Sequence, residues 1–404
     1  MRNLVLKNIF YLSLVNISNY IIPLFLIPYA IHALGFDYYG RFSFALAIIS
    51  YFVLLVDFGI GLIGTKEICE NPHERNKITY TILFVKLILF CISCVILIFI
   101  VLFFKLDIKL YSLFIFYLFG VGFTTSWYFQ AIENMKILTI STLIPKLIFL
   151  PMIFIFVKDK YDIYIYTFLW VIPFFISTLI CILYIMYKES FHACNSSDVK
   201  LILEKSYPMF VSLISIRLYT VTNTVIIGLL INDTAVGVFS SFERLIRAII
   251  SITSPINSVL YPRINKIKSN LILYRKYIRL LTVCQTFIFM FIVVFIFILY
   301  DHIIPFILSN DVLLYKKEFY IFAIALIVVP FSNILGTLIL IPMNLIKEHQ
   351  RVILLSSICH VIYIYPFVYF FGLSGGIIAY ILTESIVLIG MLYFVIKIRF
   401  FNCE

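Results

Sequence analysis

Eight ionisable side chains sit deep inside apolar stretches of this 404-residue chain: Asp57, Lys86, Lys146, Arg217, Glu243, Arg244, Arg247 and Glu384. At mid-depth in hydrocarbon each costs roughly 2.5–3.5 kcal/mol, so the set costs on the order of 20 kcal/mol and reads as functional. Arg244 and Arg247 are three residues apart, which places both guanidinium groups on one face of a helix. Arg217 belongs to the apolar stretch just before them. Desolvated guanidinium groups hold phosphates and carboxylates through charge-assisted, bidentate hydrogen bonds. The three arginines are therefore candidate ligands for an anionic group, with Lys86 and Lys146 as further cations. Five cations against three carboxylates leave a positive excess that internal pairing cannot cancel. Structural ion pairs and side chains snorkelling to the interface compete with this reading. They compete more strongly for the two lysines than for arginines near the midplane. Asp57 and Glu384 are the candidate carriers of a coupling proton or ion.

The elements that must position these residues are membrane spans. Hydrophobic residues make up 63% of the chain and charged residues 13%, and the mean hydropathy is +1.10. A soluble globular protein is nearer 45–50% apolar and about 25% charged, so too few polar residues exist to cover a water-facing surface. Crossing about 30 Å of hydrocarbon takes roughly 20 apolar residues. Twelve such stretches occur, at 9–33, 40–63, 79–104, 111–132, 137–157, 163–187, 207–231, 236–260, 280–300, 319–342, 352–371 and 375–396. The first is too long for the apolar core of a secretory signal, about 7–15 residues, and no A-x-A site follows, so an uncleaved span is expected. At ~1.5 Å per residue Lys146, Arg217, Arg244 and Glu384 lie ~12–15 Å deep, close to the midplane. No loop is long enough to hold a soluble domain. The expected fold class is all-α, a polytopic membrane protein of about twelve transmembrane helices.

Placing the N-terminus in the cytoplasm puts nineteen loop and tail Lys and Arg residues inside and six outside, whereas the acidic residues divide nine to eight. That asymmetry follows the positive-inside rule, which counts Lys and Arg and largely ignores carboxylates. Both termini are then cytoplasmic. The formal charge of +11 is mostly this topogenic bias and implies no nucleic-acid partner. The basic run from Arg263 to Arg279 is also suited to anionic lipid headgroups.

Six spans end near residue 187, and a polar linker leads to the other six. The expected division is an N-terminal lobe of residues 1–190, a cytoplasmic linker of 191–206 and a C-terminal lobe of 207–404. A shift of 197 residues superposes Gly40-Arg41-Phe42-Ser43 on Gly237-Val238-Phe239-Ser240, each where an odd-numbered span hands over to the next. Six spans per half suit parallel repeats enclosing a central cavity, a common transporter plan. Only 14 glycines are present, so glycine-broken helices are not expected to carry the substrate. Pro23, Pro28, Pro145, Pro208, Pro255 and Pro330 read as tolerated kinks. Cys91 and Cys94 form a C-x-x-C inside an apolar span with no second pair, which argues against metal or redox work. His360, in mid-span, reads as helix packing rather than a proton relay. There is no phosphate loop, zinc motif or nucleophile elbow, so neither an enzyme nor a cofactor is expected.

Other residues carry a family resemblance. Pro28, Leu34-Gly35, Tyr39-Gly40-Arg41-Phe42 and Asp57-Phe58-Gly59-Ile60-Gly61 resemble the opening of the polysaccharide exporters. So does Trp127-Tyr128-Phe129-Gln130-Ala131-Ile132-Glu133-Asn134-Met135, with Ala131 where the family commonly has Gly, and the later Gly237, Phe239 and Glu243-Arg244 fit as well. The whole chain resembles the Wzx-type O-antigen flippases of the multidrug/oligosaccharidyl-lipid/polysaccharide superfamily, whose fold is MATE-like. That resemblance implies a bacterial inner-membrane flippase for an undecaprenyl-pyrophosphate-linked oligosaccharide, rocking one six-helix lobe against the other. It also implies membrane lipid, the O-antigen polymerase and the chain-length regulator as partners. Alternatives are a flippase for another lipid-linked sugar of capsule, teichuronic acid or peptidoglycan synthesis, a cation-coupled drug exporter, and an O-antigen polymerase. The drug exporters often carry a carboxylate in the first span, which is absent from 9–33. The polymerases carry a large external loop, and the longest here is 301–318.

Overall fold

A computed structural model describes residues 2–253, 260, 264, 267, 270–398 and 400. Pro255, Arg263, Lys266, Lys268 and Arg399, with the end of the eighth expected span, lie outside the described residues. Among the described residues there are helices and turns and no strand. The protein is an all-α, multi-pass membrane protein, and the described part of each of the twelve apolar stretches is mainly helical. In order these are α1 (Arg2–Asp57), α2 (Ile60–Glu70), α3 (Arg75–Phe103), α4 (Ile108–Gly122), α5 (Ser126–Ala131), α6 (Met135–Phe156) and α7 (Ile163–Lys188). Then follow α8 (Ser196–Thr220), α9 (Thr222–Leu230), α10 (Asp233–Ser251), α11 (Leu271–Ile307), α12 (Lys316–Ala323), α13 (Ala325–Asn333), a π-helical stretch (Ile334–Leu340) and α14 (Ile346–Lys397).

Eight of the described helices or helix runs are long and apolar enough to cross a membrane, and α8 with α9, bent by 42°, makes a ninth. The difference from twelve has two physical sources. First, α1 with 56 residues and α14 with 52 are each two helices joined at a glycine. Straight, they would run ~80 Å, far beyond the bilayer. Gly35 (φ 75°, ψ 168°) and Gly372 (φ 57°, ψ −138°) take backbone conformations closed to residues with a Cβ. Second, α10 fails on composition, because Asp233, Glu243, Arg244 and Arg247 crowd its 19 residues. Most of its other positions are buried.

Several spans are interrupted. The chain leaves the helix at Phe58 (φ 47°) and Gly59 between α1 and α2, and again between α4 and α5 and between α8 and α9. The π-helical stretch loosens the tenth span. At the first of these breaks Phe58 and Gly59 both take positive φ.

The chain divides into two compact units, Met1–Ile214 and Ser215–Glu404, with the boundary inside α8. In the first, Phe42 is fully buried and packs edge-on against Tyr166 and Trp170, 4.9 and 5.2 Å between ring centroids, and against Phe114 at 5.5 Å. In the second, Phe239, its counterpart under the 197-residue shift, is fully buried and stacks on Phe322 at 5.3 Å. In both units the phenylalanine that opens the second span meets an aromatic ring of the fourth. The first half of α8 docks on the first unit: Lys205 reaches Glu67 at 2.7 Å, Lys77 reaches Asp198 at 2.8 Å, and Ile202 joins the core around Trp127 and Tyr128.

Helices α4 and α7 approach so closely at Gly120 that a Cβ there would stand 2.6 Å from the backbone of Phe174 and Phe175. Around Gly35 a Cβ would meet nothing within 4 Å. Thermal unfolding of the detergent-solubilised protein should separate the two cases. Gly120→Ala is expected to cost about 1–3 kcal/mol by overpacking and Gly120→Val more. Gly35→Ala and Gly35→Val should cost the same, about 1–3 kcal/mol, because backbone strain alone sets the penalty.

Candidate functional site

The seven residues expected to act on substrate or ion fall into two groups, one in each unit. In the first unit Lys86 of α3 is fully buried. Its Nζ donates to Asp57 Oδ1 at 2.9 Å, to Gly122 O at 2.9 Å and to Thr124 O at 3.3 Å. An ammonium has three donors, and all three are occupied. The arrangement follows from the broken helices. Helix α4 stops at Gly122, which strips its last carbonyls of intrahelical partners, and a cation at a helix C-terminus satisfies them. Asp57 ends α1 and supplies the counter-charge while remaining 28% exposed. Lys86 and Asp57, expected in separate roles, are thus partners in one ion pair. Lys146 of α6 is nearly as buried, donates to Asn19 Oδ1 at 2.5 Å and lies 5.3 Å from the Phe174 ring centroid.

The Trp127–Met135 motif turns out to be a structural corner. Trp127 Nε1 donates to Thr124 O at 3.1 Å, and Thr65 Oγ1 donates to Trp127 O at 3.1 Å. Tyr128 hydrogen-bonds the buried carboxylate of Glu189. Arg75 pairs with the same carboxylate, its Nη2 donating to Oε2 at 3.1 Å and its Nε 2.9 Å from Oε1. Neither Arg75 nor Glu189 was singled out from sequence. Both stand at span ends in polar surroundings, 114 residues apart, so no local signal links them.

The second unit holds the arginines. On α10 the residues Val238, Phe239, Phe242, Leu245 and Ile246 are buried, while Glu243, Arg244 and Arg247 share the remaining polar face. Arg247 places both Nε and Nη2 2.8 Å from Glu243 Oε1, yet its side chain stays 44% exposed. Glu384, on the second half of α14, is buried and interacts electrostatically with Arg247 and Glu243. Tyr219, near the end of α8, and Tyr380, one turn before Glu384, complete this setting. Arg217 is exposed on the last turn of α8, two residues before Tyr219. The result is a cationic face, partly balanced by two carboxylates and edged with phenol hydroxyls. Such a face can hold an anion through several charge-assisted hydrogen bonds. Among the described residues no group of three or more His, Cys, Asp or Glu side chains is arranged to hold a metal ion.

Comparison with known proteins places this geometry. Two relatives align over nearly the full length of the chain. A Shigella dysenteriae protein named "Putative O-antigen transporter" is 29% identical over 406 residues, covering 96% of this chain and 98% of its own. An Escherichia coli (strain K12) protein of the same name is 26% identical over 412 residues, covering 98% of each. Among solved structures, the lipid II flippase MurJ in an inward closed conformation superposes with a TM-score of 0.75 at 15% identity, covering 97% of this chain and 87% of that one. An inward-facing MATE family multidrug resistance transporter of the MOP superfamily gives 0.70 at 14% identity, covering 94% of both. At such identities the structural likeness establishes the fold. The sequence pattern of the polysaccharide biosynthesis protein family matches residues 5–268, and the chain belongs to that family.

Proposed function

We propose that this protein is a flippase that moves undecaprenyl-pyrophosphate-linked O-antigen oligosaccharides from the cytoplasmic to the periplasmic leaflet of the bacterial inner membrane by alternating access. The observation that carries the reading is the cationic face of α10, with Arg244 and Arg247 set on a mostly buried helix and Arg217 near the end of α8. A pyrophosphate is anionic and multidentate, which suits guanidinium groups held in low dielectric. The headgroup crosses along this face while the polyprenyl tail stays in lipid. The names of the two full-length relatives and the flippase fold of one structural neighbour support the same class of cargo. Glu384 is the carboxylate we assign to ion coupling, because it shares the setting of Arg247, whereas Asp57 is committed to Lys86.

The test is export of surface O-antigen in a strain that lacks its own flippase. Arg217→Ala, Arg244→Ala and Arg247→Ala are expected to abolish export at normal membrane levels, and the Lys variants to retain part of it, because Lys keeps the charge without the bidentate fork. Normal polysaccharide from all three Ala variants overturns the cationic site. Restored synthesis of a different lipid-linked polymer would reassign the cargo.

Glu384→Gln should insert normally and lose export. Asp57→Asn should instead lose folded protein, since breaking one side of a buried pair costs about 3–5 kcal/mol. The double variant Asp57→Asn, Lys86→Met should regain yield only in part, because it removes the unpaired charge but leaves the Gly122 carbonyl without its donor.

Both termini are proposed to face the cytoplasm. A reporter fused after Glu404 is expected to fluoresce as green fluorescent protein and to be inactive as alkaline phosphatase. The reverse result overturns the twelve-span topology.

A further inference from the structure

The two halves of α14 meet at a hydroxyl shared by three partners. Thr383 Oγ1 donates its proton to Ala379 O at 2.7 Å. The same oxygen lies 2.6 Å from Tyr363 Oη and 2.6 Å from His360 Nδ1. A hydroxyl offers one donor and two lone pairs, so with its proton spent on Ala379 it can only accept from the other two. Tyr363 therefore donates, and His360 donates through Nδ1–H. A neutral imidazole protonated on Nδ1 presents a bare lone pair at Nε2. His360 is fully buried, and its Nε2 has no hydrogen-bond partner among the described residues. An unmatched buried acceptor is costly, and packing alone would be served by any apolar ring.

The surroundings set this nitrogen apart. Helices α9 and α13 and the π-helical stretch, all packed on α14, contain no titratable side chain. Helix α10 contributes Glu243, Arg244 and Arg247. Helix α12 contributes Lys316, Lys317, Glu318 and Tyr320, and Glu318 reaches α14 at Ser374 (2.9 Å), near the Gly372 break. On α14 itself the neighbours are Cys359, Tyr363, Tyr380 and Glu384, the last adjoining Thr383 in the chain. By sequence depth His360 and Thr383 both lie ~12 Å into their spans.

We propose that His360 Nε2 is a proton-accepting site of the second unit, charged and discharged during the transport cycle; this deepens the export reading and rests on it. In the charging step a water-borne proton leaves its oxygen and forms an N–H bond at Nε2, giving an imidazolium that keeps its Nδ1–H on Thr383. Release returns the proton to water, and no electrons are transferred. Because the site is shut off from solvent here, exchange requires another conformation. That restriction is what a coupled carrier needs, since a ligand shifts only equilibria whose states it distinguishes.

His360→Asn provides the test, because the Asn amide can still donate to Thr383 but cannot take up a proton. Export is compared in the flippase-deficient strain at about pH 5.5 and about pH 7.5, the range in which imidazole ordinarily changes charge. Nitrogen-15 NMR of the histidine-labelled full-length protein in lipid, with the His360→Asn spectrum as assignment, reads the ring directly. The expected result is an Nδ1–H tautomer at the higher pH that becomes imidazolium on acidification. His360→Asn should be present at wild-type membrane levels but with its pH response lost. Tyr363→Phe removes a hydrogen bond from the same oxygen and keeps the base, so it should retain that response. An Nε2–H tautomer, a ring that does not titrate, or an unchanged pH response in His360→Asn overturns the proposal. A wild-type chain that exports nothing defeats the export reading, and the NMR result then judges His360 alone.

Discussion

A full positive charge buried at Lys86 is the constraint around which the first unit is built. An ammonium out of water needs a counter-charge and three acceptors, and a regular apolar helix offers none, because its carbonyls are already spent. The unit supplies them by ending two helices at the same place. Helix α1 stops at Asp57, which provides the carboxylate, and α4 stops at Gly122, whose free carbonyl joins that of Thr124 just beyond. The broken spans and the buried charge are therefore one feature. Without the lysine the helix ends would be unsatisfied in hydrocarbon, and without the breaks the lysine would be unpaired.

The second unit meets the same cost differently. Its charges are arranged along one face of α10 and beside Glu384, with Arg247 paired to Glu243. Arg247 stays partly exposed, whereas Lys86 has no exposure at all. A charge that is fully coordinated holds structure together. One that is partly paired and accessible on a helix with a buried opposite face is held ready for something else. That contrast, rather than the number of charges, separates the two groups.

Chain reversals obey a third constraint. The glycines at 35 and 372 join pairs of helices with no intervening loop, so each pair of spans counts as a single element by hydrogen bonding alone. Near the middle of the chain, by contrast, α8 begins in the polar linker and docks there through Lys205–Glu67 and Lys77–Asp198. The compact units divide eight residues beyond the end of the linker read from composition, inside a helix. Hydropathy marks where a chain enters the membrane; packing decides to which body it belongs.

Sequence by itself determined the membrane class, the apolar stretches that form helices, the related positions of Phe42 and Phe239, and which charges fall within those stretches. Each of these is local, resting on residue type, run length or spacing, and each survives any arrangement of helices. Only the tertiary structure decided what those charges do. Lys86 and Asp57 are 29 residues apart, Lys146 and Asn19 are 127 apart, and Arg75 and Glu189 are 114 apart. The free lone pair on His360 depends on a threonine 23 residues away on the other side of a helix break. Partner choice in hydrocarbon is set by which helices end or cross at the same depth, and that is a property of packing that no window along the chain contains.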